Sequence, residues 1–89
     1  MHILDPLKNI VTQAEQIVQI GSLYAHYRNP DQLYQVLAIA LDEQTESPYV
    51  VYQALYGDRL IWVRLLSIWT ESVEYKGKSV MRFVKIGSQ

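Results

Sequence analysis

The side chains best suited to binding chemistry in this 89-residue chain are aromatic, with seven tyrosines and two tryptophans. Residues 49–66, YVVYQALYGDRLIWVRLL, hold Tyr52, Tyr56, Trp62 and Arg64. Phenol and indole rings offer flat apolar area with hydrogen-bonding groups, and the planar guanidinium of arginine stacks on such rings. These residue types are enriched at the energetic centres of binding interfaces, so the stretch predicts a ligand surface.

Strand alternation predicts which side chains of this stretch share a face. Residues 49–56 and 60–66 read as two strands around a turn at residues 57–59. Because alternate residues of a strand project to the same side, Tyr52 and Tyr56 should lie beside Trp62 and Arg64 across the pair. The opposite face is predicted to form the core, and its members are Val51, Leu55, Ile61, Val63 and Leu65.

Two further residues join the candidate ligand-binding set, His26 and Tyr27, from a short predicted strand at residues 23–28. A structural interpretation stands beside the functional one, because small barrels also use Tyr and Trp as cross-strand pairs that cover a sheet. In that interpretation Arg64 stacks on Trp62 and pairs with an acid such as Glu71. An isolated histidine is more often a hydrogen-bonded structural residue than a general base.

The sequence offers no set of residues typical of a metal site, a cofactor site or a catalytic centre. It has two histidines, His2 and His26, and no cysteine, and Gly57 stands outside any phosphate-binding motif. We therefore predict no metal, no cofactor and no catalytic residue. A small enzyme that uses His26 with Tyr27 or Arg64 is the least favoured hypothesis, because one base without a placed nucleophile rarely suffices.

Length and composition predict one domain over residues 1–89, with 49% hydrophobic and 19% charged residues. The N-terminus has no basic segment followed by an apolar run, and no apolar run of about 18 residues occurs, so neither a signal peptide nor a membrane span is predicted. Together with the absence of cysteine, this favours a cytoplasmic location.

A nucleic-acid-binding small barrel is the second hypothesis, because such barrels often stack bases on aromatic rings. Its electrostatic face would be formed by six cations in the C-terminal part of the chain: Arg59, Arg64, Lys76, Lys78, Arg82 and Lys85. A net charge of −1 and a pI near 6.0 disfavour this partner.

Residues 5–20 are predicted to form a helix, with Asp5 as the N-cap and Pro6 in the first turn. Gly21 is placed to end it in a left-handed conformation. The apolar positions recur every three or four residues and form one stripe: Leu7, Ile10, Val11, Ala14, Ile17 and Val18. We expect this stripe to pack on its own domain, with a homodimer through the helix as the alternative.

The remaining chain predicts about five short strands, including residues 33–41 and a last hairpin of residues 73–75 and 80–86 around Lys76-Gly77-Lys78. Residues 29–31 (Asn-Pro-Asp) are predicted as a turn, residues 42–48 as a polar loop and residues 66–70 as a turn or a single helical turn. Regularly spaced short strands with tight turns indicate a mainly β fold, a small antiparallel barrel with an N-terminal helix.

Several runs of this chain resemble the bacterial domain-of-unknown-function family 1653: Tyr24-Ala-His26-Tyr27, Tyr34-Gln-Val36, VVYQALYG at 50–57, Trp62-Val63-Arg64, and Gly77 with Arg82-Phe83. The resemblance covers about residues 21–86 and implies a small SH3-like β-barrel without an established activity. In the loop at residues 40–48, the family pattern has His at the position of Asp42 and Glu at the positions of Gln44 and Ser47. No site that uses those groups is expected in this chain.

The function that these patterns favour is a non-catalytic binding module. Its ligand would be a peptide, a partner protein or a small polar molecule, bound on an aromatic and arginine-lined face. No membrane partner is predicted.

Overall fold

One helix precedes a mainly β chain in the computed structural model, which describes residues 6–87. The elements in chain order are α1 (Pro6–Ile17), β1 (Leu23–His26), β2 (Asn29–Leu41), β3 (Pro48–Ala54), β4 (Ile61–Leu65), α2 (Leu66–Trp69), β5 (Ser72–Tyr75), β6 (Lys78–Met81) and β7 (Phe83–Gly87). The predicted mainly β, antiparallel fold with an N-terminal helix is confirmed, with seven strands instead of about five.

The strands form two antiparallel sheets. The larger sheet has the order β4-β3-β2-β1-β7, and β5 pairs with β6 in a two-stranded sheet. The last predicted strand is divided at Arg82, so that β6 completes the predicted hairpin and β7 joins β1. Within residues 6–87 no pairing of β4 with β7 closes the larger sheet into a barrel.

The predicted turn at residues 29–31 is wrong, because β2 already begins at Asn29. The chain turns at Tyr27 and Arg28, and the register of β1 with β2 shifts between Ala25 and His26. Because of that shift, residues 30–32 of β2 have no partner in β1. Pro30 is one of them, so its missing N–H removes no hydrogen bond between the two strands. Pro30, which predicted a turn, therefore lies at an irregularity within a strand and not in the turn.

The polar loop between β2 and β3, residues 42–47, is organised by Asp42. One oxygen of its carboxylate accepts hydrogen bonds from the backbone N–H groups of Gln44 (2.8 Å) and Thr45 (2.9 Å). The N–H groups of Thr45 and Gln44 also lower the pKa of Asp42 from its ordinary value, since they stabilise the charged form. Asp42 therefore has a structural role in the loop.

Helix α1 packs on β2 and β3, as predicted for its apolar stripe. Ala14 and Val18 are buried, and the Val18 N–H donates to the Ala14 carbonyl at 2.8 Å. The helix ends at Ile17, before the predicted end at residue 20, and Gly21 follows with a positive φ of 85°. The predicted N-cap, Asp5, lies outside the described residues.

The prediction of which hairpin face forms the core is wrong. Val50 and Tyr52 are buried, whereas Ile61 and Val63 are 59% and 61% exposed. We call the side of the large sheet that carries Val50 and Tyr52 the inner face, and the side that carries Ile61 and Val63 the outer face. The inner face is covered by Val18, Trp69 and Phe83, which come from three distant parts of the chain.

Candidate ligand-binding site

An aromatic cluster forms the floor of the candidate site. The rings of Trp69 and Phe83 are stacked, with centroids 3.8 Å apart and planes 4° apart. Tyr24 and Tyr52 meet Trp69 edge-on, at centroid distances of 5.3 and 4.9 Å. Offset and edge-on contacts of this kind add to the stability gained from burial, so the cluster provides a rigid floor.

An open cavity of about 250 Å³ lies beside this cluster, at the end of the inner face. We call it the aromatic cavity, and its lining residues are Tyr34, Tyr52, Tyr56, Trp62 and Arg64. The antiparallel register brings them together, because Tyr52 lies opposite Trp62, and Val50 opposite Arg64, on β3 and β4. Residues directly opposite one another project to the same face, so both β4 side chains reach the inner side.

Arg64 brings a positive charge to the aromatic cavity. Its guanidinium carbon lies 5.5 Å from the centroid of the Phe83 ring, a cation–π distance. The interpretation that pairs Arg64 with Glu71 is wrong, since Glu71 pairs with Arg82 at 2.6 Å. Among residues 6–87, Arg64 has no carboxylate partner, so its charge is available to an anion.

Two tyrosine hydroxyls border the same cavity. The Tyr34 and Tyr56 oxygens lie 2.6 Å apart, a hydrogen bond in which either hydroxyl is able to donate. Burial, followed by this hydrogen bond, raises the pKa of Tyr34, so its phenol is neutral at physiological pH. Since one bond between two hydroxyls uses one hydrogen, the accepting phenol keeps its own hydrogen for a ligand.

The structure brings four of the six predicted site residues to this cavity and places the other two elsewhere. Tyr27 packs edge-on against Tyr75, with a centroid distance of 5.0 Å. His26 lies beside Phe83, and its Nδ1 accepts a hydrogen bond from the Arg28 backbone N–H at 3.2 Å. These contacts agree with the structural interpretation of His26, and neither residue lines the aromatic cavity.

Two residues of the site were not predicted as part of it. Tyr34 lines the aromatic cavity, and Phe83 supports both Arg64 and His26. Tyr34 alternates with Val36 along β2, and Val36 lies opposite Tyr52, so the register of β2 with β3 is the signal that places Tyr34 on the inner face. Phe83 carries no comparable local signal, because it reaches the site through β7 and its pairing with β1.

The surroundings of His26 predict a pH-dependent stability. Burial, and then the charges of Arg64, Arg82 and Arg28, lower its pKa from the ordinary value of 6.5. The unfolded chain therefore binds more protons than the folded protein below pH 6.5, so the free energy of unfolding should fall as the pH drops through this range. Urea unfolding at several pH values between about 5 and 8 should show this slope of the free energy of unfolding against pH.

The matched control replaces His26 by Gln, which keeps a side-chain acceptor but does not titrate. Both proteins carry His2→Gln, so that no other histidine contributes. The variant should lose the slope near pH 6.5, and an unchanged slope would show that the pH dependence arises elsewhere.

A larger cavity of about 400 Å³ lies on the outer side of the sheet. Its lining residues are Ala40, Leu41, Asp42, Tyr49 and Val63. The charged group there, Asp42, is already engaged by the backbone of its own loop. The smaller aromatic cavity is therefore the better candidate site, since specific binding needs polar groups that are free to contact a ligand.

Taken together, the fold and the cavity define a small antiparallel β domain with an arginine at an aromatic-lined opening. Residues 22–85 match the family model described as "Protein of unknown function (DUF1653)". The chain belongs to the DUF1653 family, as its sequence motifs predicted. No helix within residues 6–87 has the length and apolar character that crossing a membrane requires.

A solved structure supports the same assignment. The chain is similar to the crystal structure of a protein belonging to DUF1653 from Bordetella bronchiseptica, with 29% sequence identity and a TM-score of 0.69. The similarity covers 82% of this chain and 94% of the other. No curated protein matches the chain.

Proposed function

We propose that this chain is a non-catalytic binding module and that the aromatic cavity is its ligand site. The observation that carries the proposal is the position of Arg64. Its guanidinium stands at the cavity without a carboxylate partner among residues 6–87, between aromatic walls. A planar cation in partly apolar surroundings binds carboxylates with two parallel hydrogen bonds, and its attraction to an anion is stronger there than in water.

The size and walls of the cavity narrow the ligand class. About 250 Å³ lies just below the ~300–1,000 Å³ typical of sites for drug-sized molecules, so the cavity suits one small planar group. Trp62 and Tyr52 supply flat walls, and the hydroxyl pair of Tyr34 and Tyr56 supplies a further donor. A carboxylate attached to a flat apolar group uses all of these features. A small aromatic acid and the terminal residue of a peptide both present this chemistry.

The placement of His26 supports binding without catalysis. Its Nδ1 accepts the Arg28 N–H, and its ring packs on Phe83, away from the cavity lining. The aromatic cavity itself contains phenols, an indole and a guanidinium. With the pKa of Tyr34 raised, that phenol serves as a hydrogen-bond donor and not as a base at neutral pH.

A pair of probes tests the proposal: benzoate, and benzamide as its neutral counterpart. Benzoate should bind more tightly, with a shift of the Trp62 indole N–H signal in a nuclear magnetic resonance titration. Arg64→Gln should weaken benzoate binding about 10- to 100-fold, the loss of a charge-assisted hydrogen bond, and should remove the preference over benzamide. Trp62→Ala should weaken both probes, because both use the flat wall.

The matched control is Arg28→Gln. Arg28 is an exposed arginine whose guanidinium lies 5.7 Å from the Tyr27 ring, outside the aromatic cavity. This variant should bind benzoate as the unmodified protein does. Equal affinities for benzoate and benzamide, or equal losses in the Arg28 and Arg64 variants, would contradict the proposal.

A further inference from the structure

Strand β4 leaves one edge of the large sheet open. It is the terminal strand of the order β4-β3-β2-β1-β7, and no strand within residues 6–87 pairs with its outer edge. Its register with β3 is continuous from Tyr49–Leu65 to Gln53–Ile61, without a bulge. Side chains along this edge are more than half exposed, and they are Leu60, Ile61, Trp62 and Val63.

The opposite edge of the same sheet is built differently. Strand β7 has a register shift against β1 between Leu23 and Tyr24, and it carries Lys85. Bulges and lysines are the features that natural proteins use to prevent an edge strand from pairing with another chain. Strand β4, with the sequence Ile-Trp-Val-Arg-Leu, has no bulge, lysine or proline. It is therefore the edge of this sheet that is suited to further pairing.

The hydrogen-bond pattern shows which backbone groups β4 offers. The Ala54 N–H donates to the Leu60 carbonyl at 3.0 Å, which makes Ala54 and Leu60 a hydrogen-bonded pair. Because such pairs alternate along an antiparallel ladder, the backbone groups of Trp62 and Arg64 also point to β3. Those of Ile61 and Val63 then point to the open edge.

We propose that β4 is a homodimer interface, in which a second copy of this chain adds its own β4 in the antiparallel direction. The strand spans Ile61–Leu65, so complete overlap of two copies places Val63 opposite Val63 of the second copy. In this register the two Val63 residues exchange both of their backbone hydrogen bonds across the two-fold axis.

Complementary side chains across the two-fold axis support a second copy as the occupant. The same register places Trp62 of each copy opposite Arg64 of the other, as a non-hydrogen-bonded pair, in which facing side chains are closest. An indole beside a guanidinium is a favourable cation–π pair, and within residues 6–87 no carboxylate competes for Arg64. The two-fold axis makes this pair occur twice. On the outer face, Ile61, Val63 and Leu65 of the two copies form one apolar strip.

The dimer would complete the aromatic cavity. Trp62 and Arg64 belong both to the cavity lining and to the edge strand. Pairing therefore places an indole from the second copy beside Arg64, at the side of the cavity that a single copy leaves open. This inference does not rest on the proposed ligand, because it depends on the strand edge and on the backbone register.

Sedimentation of the full chain over a range of concentrations tests the proposal. The unmodified protein should shift from 10.3 kDa to twice that mass as its concentration rises. Val63→Lys should raise the dissociation constant at least about tenfold, because two like charges then face each other at the two-fold axis. Val84→Lys is the matched control, an exposed valine on the opposite edge strand, and it should dimerise as the unmodified protein does.

A measurement on the unmodified protein guards against a folding defect in the variant. Backbone amide hydrogen exchange at low and high concentration should show new protection at Val63. Trp62, whose N–H points to β3, should not change. A protein that stays monomeric, or equal effects of Val63→Lys and Val84→Lys, would overturn the proposal.

The helix α1 offers the competing interface, since Ile17 is exposed. Loss of the dimer in Ile17→Lys with a normal dimer in Val63→Lys would overturn the β4 proposal in favour of the helix. A normal dimer in Ile17→Lys would support β4.

Discussion

Replacing Trp69 by Ala is expected to lower the free energy of unfolding by about 3–5 kcal/mol. Trp69 is 2% exposed and stacks on Phe83, and both Tyr24 and Tyr52 meet its ring edge-on. Its removal would leave a cavity at the point where α2, β1, β3 and β7 meet. Because small domains are stable by only about 5–15 kcal/mol in total, the loss should be visible as a much lower urea midpoint.

The chain provides its own control for this experiment in Trp62. This residue is 51% exposed and stands on an edge strand, so Trp62→Ala should change the free energy of unfolding of the monomer by less than about 1 kcal/mol. Urea unfolding, followed by far-ultraviolet circular dichroism, compares the two variants without relying on tryptophan fluorescence. Similar losses in both would show that the aromatic cluster does not centre on Trp69.

Replacing Val50 by Lys is expected to leave the chain largely unfolded at neutral pH. Val50 is fully buried and lies opposite Arg64, so its replacement puts an ammonium group in the core, beside a guanidinium of like charge. An unpaired buried charge costs several kcal/mol even after the surroundings relax, which is comparable to the stability of a chain this short. Circular dichroism and urea unfolding should both show the loss.

The control for Val50→Lys lies on the other face of the same hairpin. Val63→Lys places the same ammonium group at a largely exposed position, so it should change the free energy of unfolding by no more than about 0.5 kcal/mol. Measurements at two protein concentrations separate this effect from the proposed dimer. A larger loss of unfolding free energy in the Val63 variant than in the Val50 variant would support the face assignment that the sequence predicted.

The inversion of the two faces also matters for the candidate site. The aromatic cavity and the core lie on the same face of the sheet. The cavity residues therefore extend the inner face and do not lie on the side of the sheet opposite the core. Tyr52 shows this dual position, because it is buried in the core and lines the cavity. Trp62 and Arg64 reach solvent because their strand is at the edge of the sheet.

Local patterns in the sequence determined the mainly β fold, the packed helix, the paired strands around Gly57 and the family. They also determined that Tyr52, Trp62 and Arg64 share a face, since alternation and the register of one hairpin are local properties. For the same reason, four of the six predicted site residues meet at one cavity.

Only the tertiary structure decided which face is buried. Alternation divides a strand into two faces but does not say which is covered, because the cover comes from residues distant in sequence: Val18, Trp69 and Phe83. The same long-range pairing brought Glu71 to Arg82, left Arg64 without a carboxylate partner among residues 6–87, and placed His26 and Tyr27 away from the cavity. The aromatic residues near Gly57 were therefore identifiable from the sequence. Which of them lies in the core, in the cavity wall or at the open edge is determined by the whole fold.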